Sequence, residues 1–178
     1  MTAFDQALGF LIGHEGGFGN ESADAGNWTG GAVGKGTLRG TKYGISAAAY
    51  PYLDIASLTI DDAAAIYHRD YWMPVRGDDL PPPLALLVFD AAVNNGISRA
   101  VRWLQMALGV LVDGRPGPET MAAIARSDVQ AVCVEFMALR VAFMGALPTW
   151  RTFGLGWARR LCQLPYQAMQ MGASAPQQ

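Results

Sequence analysis

Glu15 is the residue of this sequence that best fits acid–base chemistry. It follows Phe4, Leu8 and Leu11, whose spacing is that of one face of an amphipathic helix. One further turn ends at position 15, so we expect the carboxylate on the inward side and at the negative end of the helix dipole. Both effects disfavour the anion and should raise the pKa of Glu15, as a general acid requires. The alternative is an exposed glutamate on a fraying last turn.

A long glycine-rich segment follows Glu15 and contains two further carboxylates, Glu21 and Asp24. Residues 16–44 hold ten glycines among Asn, Ser, Thr and Asp, which predicts an irregular loop with a small hairpin around Gly31 to Gly40. Gly16 and Gly17 are expected to end the first helix. Loops of this length within compact domains are usually functional, so the loop is where we expect a site.

The remainder of the chain predicts a mainly α fold. Capping residues, prolines and helical apolar spacing delimit the expected helices. They cover residues 59–72, 84–96, 98–108 and 155–171, with a short helix that starts at Pro118 and a long helix from Asp128 through Phe143 between the last two. The second of these is apolar nearly all round, which indicates a central buried helix. Asp90 lies within it and must find a partner there. The expected caps are Ser98 and Asp128, and a bend is expected at Pro165.

Composition narrows the possible functions. The chain has 178 residues, 51% of them hydrophobic, and a net charge of −2, which excludes disorder and gives no basic footprint for nucleic acid. Cys133 and Cys162 lie in apolar stretches and are predicted to be buried free thiols. The only histidines, His14 and His68, have no metal-binding spacing, so neither a metal nor a cofactor is expected. The longest apolar region contains charges, which favours a core helix over stable membrane insertion.

An ordered set of motifs resembles a known family. The segments are HEGGFGN (14–20), GTKYGIS (40–46), AAAIYHRDYW (63–72), FDAAVNNG (89–96) and TWRTFGLGWARR (149–160). Together they resemble glycoside hydrolase family 108, the N-acetylmuramidases of phages and bacteria. The resemblance implies a lysozyme-like helical fold with the glycine-rich loop or small hairpin near the active site. It also implies cleavage of β-1,4 bonds between N-acetylmuramic acid and N-acetylglucosamine in peptidoglycan.

The same resemblance implies roles for particular residues. Glu15 matches the catalytic acid, while Asp24 and Thr41 match the groups that hold the attacking water. The insertion NWTGGAVGKGTLR (27–39) separates these two, so Glu21 stays open as an alternative second carboxylate. Sequence spacing does not fix the distance between the carboxyl groups, so an inverting and a retaining reaction both stay open.

Aromatic residues of the loop are candidates for binding sugar. Phe18, Trp28 and Tyr43 lie in or beside it, where packing demands are lower than on a helix. Tyr67, Tyr71 and Trp72 are expected to pack in the core instead. The resemblance places Asn94 near the cleft, although this residue could also do no more than end its helix.

A second motif suggests contact with the cell wall. Residues 108–120, LGVLVDGRPGPET, resemble a segment of peptidoglycan-binding domains through Asp113, Gly114, Gly117 and Thr120. This predicts a catalytic part (1–96), a C-terminal helical part that binds peptidoglycan (97–172) and a flexible tail (173–178), with the first two packed as one compact unit. The alternative is a helix–helix turn.

Two functions are consistent with these motifs. The first is a peptidoglycan hydrolase of the muramidase or endolysin type, and the second is a non-catalytic peptidoglycan-binding or secretion-assisting protein. The N-terminus has no Lys or Arg before its apolar run and does not resemble a secretory signal. We expect synthesis in the cytoplasm and action on the wall after export or holin-dependent release, including in a prophage context.

Overall fold

The computed structural model describes residues 1–13 and 17–173. The described chain is mainly helical, with one small antiparallel sheet. The elements are α1 (Ala3–Ile12), β1 (Thr41–Lys42), β2 (Ile45–Ser46), α2 (Ile60–Tyr67), α3 (Pro82–Asn95), α4 (Ile97–Leu108), α5 (Pro118–Ala125), α6 (Val129–Gly145) and α7 (Trp150–Ala173). The chain divides into two compact units. We call Leu8–His68 the loop unit, and Met1–Ala7 together with Arg69–Gln178 the helical unit.

The helical unit is built around α3. Nine consecutive residues of this helix, from Leu84 to Ala92, are buried, because α4, α6 and α7 all pack on it. Phe4, Trp72 and Phe89 add an aromatic cluster whose ring centroids lie 5.3 to 5.9 Å apart in edge-to-face contact. Each large side chain buried in this way stabilises the fold by roughly 1.5–3 kcal/mol. The predicted central buried helix is confirmed.

The loop unit combines a short hairpin with α2. β1 and β2 pair through Thr41 with Ser46 and Lys42 with Ile45, and Tyr43 and Gly44 form the turn. Both turn residues have positive φ, 52° and 79°, as a type I′ turn requires. At the start of α2, Thr59 and Asp62 form the capping box that the sequence predicts.

Several helix ends differ from the sequence-based expectation. α1 ends at Ile12 and is followed by Gly13 at a left-handed φ of 59°, so the predicted end at Gly16 is wrong. The expected position of Glu15 on the inward face of this helix is not tested, because Glu15 lies outside the described residues. Ser98 is not a cap, since α4 already starts at Ile97. Asp128 does cap α6, and Pro165 lies within α7.

The cysteines are free but differ in exposure. Cys133 is half-buried, and desolvation raises the pKa of its thiol to about 11. Cys162 is exposed, so the prediction of two buried thiols is wrong for this residue. α7 turns the Cys162 side chain outward, which its apolar neighbours in sequence do not indicate. Among the described helices, none is long and apolar enough to span a membrane.

Candidate active site

Backbone pairing brings the two ends of the glycine-rich segment together. Gly19 and Thr41 exchange hydrogen bonds of 2.9 and 2.8 Å, and a second bridge joins Trp28 to Leu38. Around the predicted hairpin at Gly31 to Gly40, the described residues form this isolated bridge and turns, whereas the paired strands of the unit are β1 and β2, just after it. Gly40 has φ 81°, and a Cβ there would stand 2.4 Å from the Gly19 carbonyl oxygen. A side chain at position 40 would therefore disrupt the closure.

Asn27 organises the centre of this loop. It is 1% exposed, and its Nδ2 donates to the Glu21 carbonyl oxygen at 3.0 Å. Its amide oxygen consequently faces Thr41, whose Oγ1 donates to it at 2.8 Å. Because the Thr41 hydroxyl hydrogen is used in this bond, the lone pairs of Oγ1 are left to accept a hydrogen bond.

Asp24 belongs to the same hydrogen-bonded system. It caps the 3-10 helix Ala25–Asn27, with Oδ1 accepting from the Gly26 amide at 2.8 Å, and its own carbonyl accepts from the Asn27 amide at 3.2 Å. The Asp24 residue is exposed. The Glu21 carboxylate lies over Gly19, and its Oε2 is 3.1 Å from where a Cβ on Gly19 would stand. Asn27 thus links Thr41, Asp24 and the backbone of Glu21.

Phe18 lines a cleft of about 410 Å³ in the loop unit. Its other lining residues are Leu38, Arg39, Asp54 and Ala56. Arg39 is held by the carbonyl oxygens of Pro51 and Leu53, at 3.2 and 3.5 Å. An exposed ring beside a guanidinium and a carboxylate presents both an apolar face and charged hydrogen-bonding groups to a ligand. Arg39 and Asp54 are not predictable as site residues from the sequence, because nothing in their spacing ties them to Phe18.

Trp28 and Tyr43 are both half-buried and partly engaged in the fold. The indole Nε1 of Trp28 donates to the Ser22 carbonyl oxygen at 2.9 Å. The Tyr43 ring lies 5.5 Å from the Lys42 ammonium, and its backbone carbonyl accepts from the Tyr67 hydroxyl at 3.0 Å. Neither residue lines the cleft beside Phe18. Tyr67 and Trp72 are buried, which confirms their expected core packing.

Asn94 is exposed at the end of α3, in the helical unit. Its Nδ2 donates to the Asp90 carbonyl oxygen at 2.8 Å. The Asp90 carboxylate is fully buried and pairs with Arg140 at 2.7 Å and with Arg160. The expected structural partner of Asp90 is therefore present, and burial lowers the pKa of Arg140. Asn95 Oδ1 accepts from Arg140 Nε at 2.9 Å.

The VDGRPG segment is organised by a buried glutamine. Gln105, 1% exposed, donates through Nε2 to Asp113 Oδ1 at 2.7 Å, to the Arg115 carbonyl oxygen at 2.9 Å and to Thr120 Oγ1 at 3.3 Å. Its Oε1 accepts from the Gly114 amide at 2.8 Å. These hydrogen bonds shape the turn between α4 and α5. Binding of peptidoglycan by this segment stays a prediction.

The described residues contain no group of three or more His, Cys, Asp or Glu side chains suited to a metal ion. In the described part of the loop unit, the groups suited to acid–base chemistry are its carboxylates and the Thr41 hydroxyl. Glu15, the predicted acid, lies outside the described residues.

Comparison with known proteins defines the class. A family model described as Glycosyl hydrolase 108 matches residues 8–96, half of the chain, so the protein belongs to this family of glycoside hydrolases. The chain is similar to the solved structure of SagA from Brucella abortus, with a TM-score of 0.80, 29% identity and 97% of each chain covered. A search of curated proteins gives no match. The predicted mainly α, lysozyme-like fold and the family resemblance are confirmed.

Proposed function

We propose that this glycoside hydrolase is a muramidase. It cleaves the β-1,4 bond between N-acetylmuramic acid and N-acetylglucosamine in peptidoglycan. Glu15 donates a proton to the glycosidic oxygen of the leaving sugar. A water held by Thr41 and Asp24 attacks the anomeric carbon and gives its proton to the Asp24 carboxylate. The observation that carries the proposal is the Asn27 system, which leaves the Thr41 hydroxyl able to accept from a water.

The surroundings of Asp24 and Phe18 support different roles for these two residues. The Asp24 carboxylate uses Oδ1 to accept from the Gly26 amide, and Oδ2 makes no hydrogen bond with the described residues. The Phe18 cleft offers an exposed ring, 45% accessible, on which the apolar face of a pyranose can rest. Phe18, Trp28, Tyr43 and Asn94 are proposed as substrate-binding residues.

In this scheme residues 1–96 carry catalysis and residues 97–172 bind the wall. The enzyme reaches the wall after export or holin-dependent release.

The test is a digestion of purified cell walls. Borohydride converts each new reducing end to its alditol, so the alditol of N-acetylmuramic acid is expected. In a separate digestion without borohydride, the first anomer seen by NMR reports direct attack by water or attack by a carboxylate. New ends on glucosamine would contradict the assignment of the bond. Retention on walls without release of sugar would instead support the non-catalytic alternative.

Glu15→Gln tests the acid. The amide keeps the shape but has no proton to give, so activity should fall by about 10² to 10⁴-fold, the usual contribution of general acid–base catalysis. Glu135→Gln, an exposed change on α6, is the matched control and should keep full activity. The thermal midpoint of each variant shows whether it is folded. Full clearance of walls by a folded Glu15→Gln variant would remove Glu15 from the mechanism.

A further inference from the structure

A second, smaller pocket lies entirely within the helical unit. It has a volume of about 150 Å³, and its walls include Asn94, Asn95, Arg140, Leu147, Trp157 and Arg160. One water takes roughly 30 Å³ of the liquid, so the pocket holds roughly five waters or a group of similar size. Its walls combine two guanidiniums and two amides with apolar and aromatic surface.

The polar wall of this pocket retains a donor for a ligand. Asp90 is shared between two arginines, since Oδ2 lies 2.7 Å from Arg140 Nη1 and Oδ1 accepts from Arg160 Nε at 3.1 Å. Arg140 Nε donates to Asn95. Arg140 Nη2 makes no hydrogen bond with the described residues, and Arg140 is a lining residue. A guanidinium in this state favours an anionic acceptor with planar geometry, which describes a carboxylate.

The aromatic wall extends outward along α7. Trp157 lies 6.0 Å from Trp150 and 5.9 Å from Phe153 between ring centroids, and Phe153 is 54% exposed. Trp150 folds over Gly154, where a Cβ would stand 2.8 Å from its ring. Trp150 and Trp157 are half-buried, so Phe153 is the exposed ring of this cluster. An exposed ring next to a pocket with guanidiniums suits a ligand with an apolar sugar face and an acidic substituent.

We propose that this pocket binds a carboxylate on a short branched carbon chain, of the form CH₃–CHX–COO⁻, carried by a wall fragment. The carboxylate accepts from Arg140 Nη2 while the methyl group contacts Leu147 and Trp157. Two groups of peptidoglycan have this chemistry: the lactyl ether of muramic acid and a terminal D-alanine. Only the choice of these wall fragments as the source rests on the proposed function, because the pocket itself is defined by its own residues.

The test measures binding without turnover, in the full chain carrying Glu15→Gln. NMR titrations compare N-acetylmuramic acid with N-acetylglucosamine, which lacks the lactyl group, and N-acetyl-D-alanine with its amide. We expect the acid of one pair to bind at least about tenfold more tightly, as a charge-assisted hydrogen bond predicts. The pair that discriminates identifies the source. Equal binding within both pairs would overturn the proposal.

Two variants locate the binding. Arg160→Gln should remove the preference for the acid, whereas Arg159→Gln, the exposed neighbour that does not line the pocket, should keep it. Leu147→Trp fills the pocket without changing any residue of the ion pairs, and it should also abolish the preference for the acid. This variant tests the proposal even if Arg160→Gln does not fold. Unchanged preference in folded Leu147→Trp would overturn the proposal. If the acid is preferred but the wild-type protein releases no sugar from cell walls, the proposed function is contradicted and the binding proposal is not.

Discussion

At the scale of residues, Asn27 decides what the candidate site can do. Its Nδ2 is committed to the Glu21 carbonyl oxygen, which fixes the orientation of the amide and turns Thr41 into a donor toward it. A threonine fixed in this way is predisposed to accept from a water rather than to donate to one. The chemical role proposed for Thr41 therefore depends on a buried neighbour that itself does no chemistry.

Thr41→Ala should weaken wall lysis while the protein stays folded. We expect a loss of roughly 10²-fold, since a nucleophile displaced by about 1 Å costs that much. The Asn27 amide oxygen loses its partner, which lowers the free energy of unfolding by about 1–3 kcal/mol. Turbidity clearance and thermal unfolding measure the two effects. Thr41→Ser keeps the hydroxyl and should retain most of the activity; full activity in Thr41→Ala would remove this residue from the water-holding role.

Asp24→Asn and Glu21→Gln distinguish the two candidate carboxylates. Asparagine keeps the oxygen that accepts from the Gly26 amide and is an equally good cap, so the first change removes charge with little effect on the fold. We expect Asp24→Asn to reduce turnover by about 10² to 10⁴-fold. Glu21→Gln should have a much smaller effect. The opposite ranking, measured as initial rates on cell walls, would transfer the role of second carboxylate to Glu21.

At the scale of elements, α3 is joined to α6 and α7 by one buried charge cluster. Asp90 of α3 is fully buried, and its partners are Arg140 of α6, 1% exposed, and Arg160 of α7. A buried ion pair adds little stability over an apolar replacement, but removing one partner leaves a charge that is costly to bury. We therefore expect this cluster to contribute to the alignment of the three helices rather than to their net stability.

Asp90→Asn should destabilise the protein strongly, by about 3–5 kcal/mol, because the Arg140 guanidinium loses its carboxylate in a buried place. Asp79→Asn is the matched control. Asp79 pairs with Arg76 at 2.8 Å, but the two side chains are 53% and 42% exposed, and exposed pairs are worth roughly 0–1 kcal/mol. Chemical denaturation compares the two. Equal destabilisation would contradict the special role of the buried cluster.

At the scale of the whole molecule, the family match and the packing divide the chain differently. The match ends at Gly96, one residue after α3 ends. Yet α3 packs on α4, α6 and α7, which all follow that point. A catalytic part limited to residues 1–96 would thus carry a helix whose buried residues have lost their partners.

We expect a fragment of residues 1–96 to fail to fold alone. Residues Leu84–Ala92 would be exposed, and their burial is a large share of the stability of the helical unit. Circular dichroism should show loss of the near-ultraviolet signal of Trp72, whose ring is fully buried in the intact chain. A chain shortened only to residues 1–173 is the control and should unfold like the full protein. A cooperative thermal transition in the 1–96 fragment would contradict this prediction.

The helical class, the buried α3 and several helix boundaries were predictable from local sequence signals. Apolar residues all round a segment, Pro118 at a helix start and the capping residues Thr59 and Asp128 act within one or two turns, so their effects can be predicted locally. The motif series also sufficed to predict the family. Where two glycine signals competed, the prediction was wrong, because α1 ends before Gly13 and not at the glycine pair that follows Glu15.

Which distant side chains meet depends on how the helices and loops pack, and no local signal predicts it. Asn27 and Thr41 are fourteen residues apart, and Asp90 and Arg160 seventy, so neither pairing has a period that a sequence pattern could reveal. These contacts arise because a buried amide or carboxylate must find partners wherever the packed chain supplies them. The need for a partner at Asp90 was predictable from its apolar surroundings, but the identity of that partner depended on how α6 and α7 pack against α3.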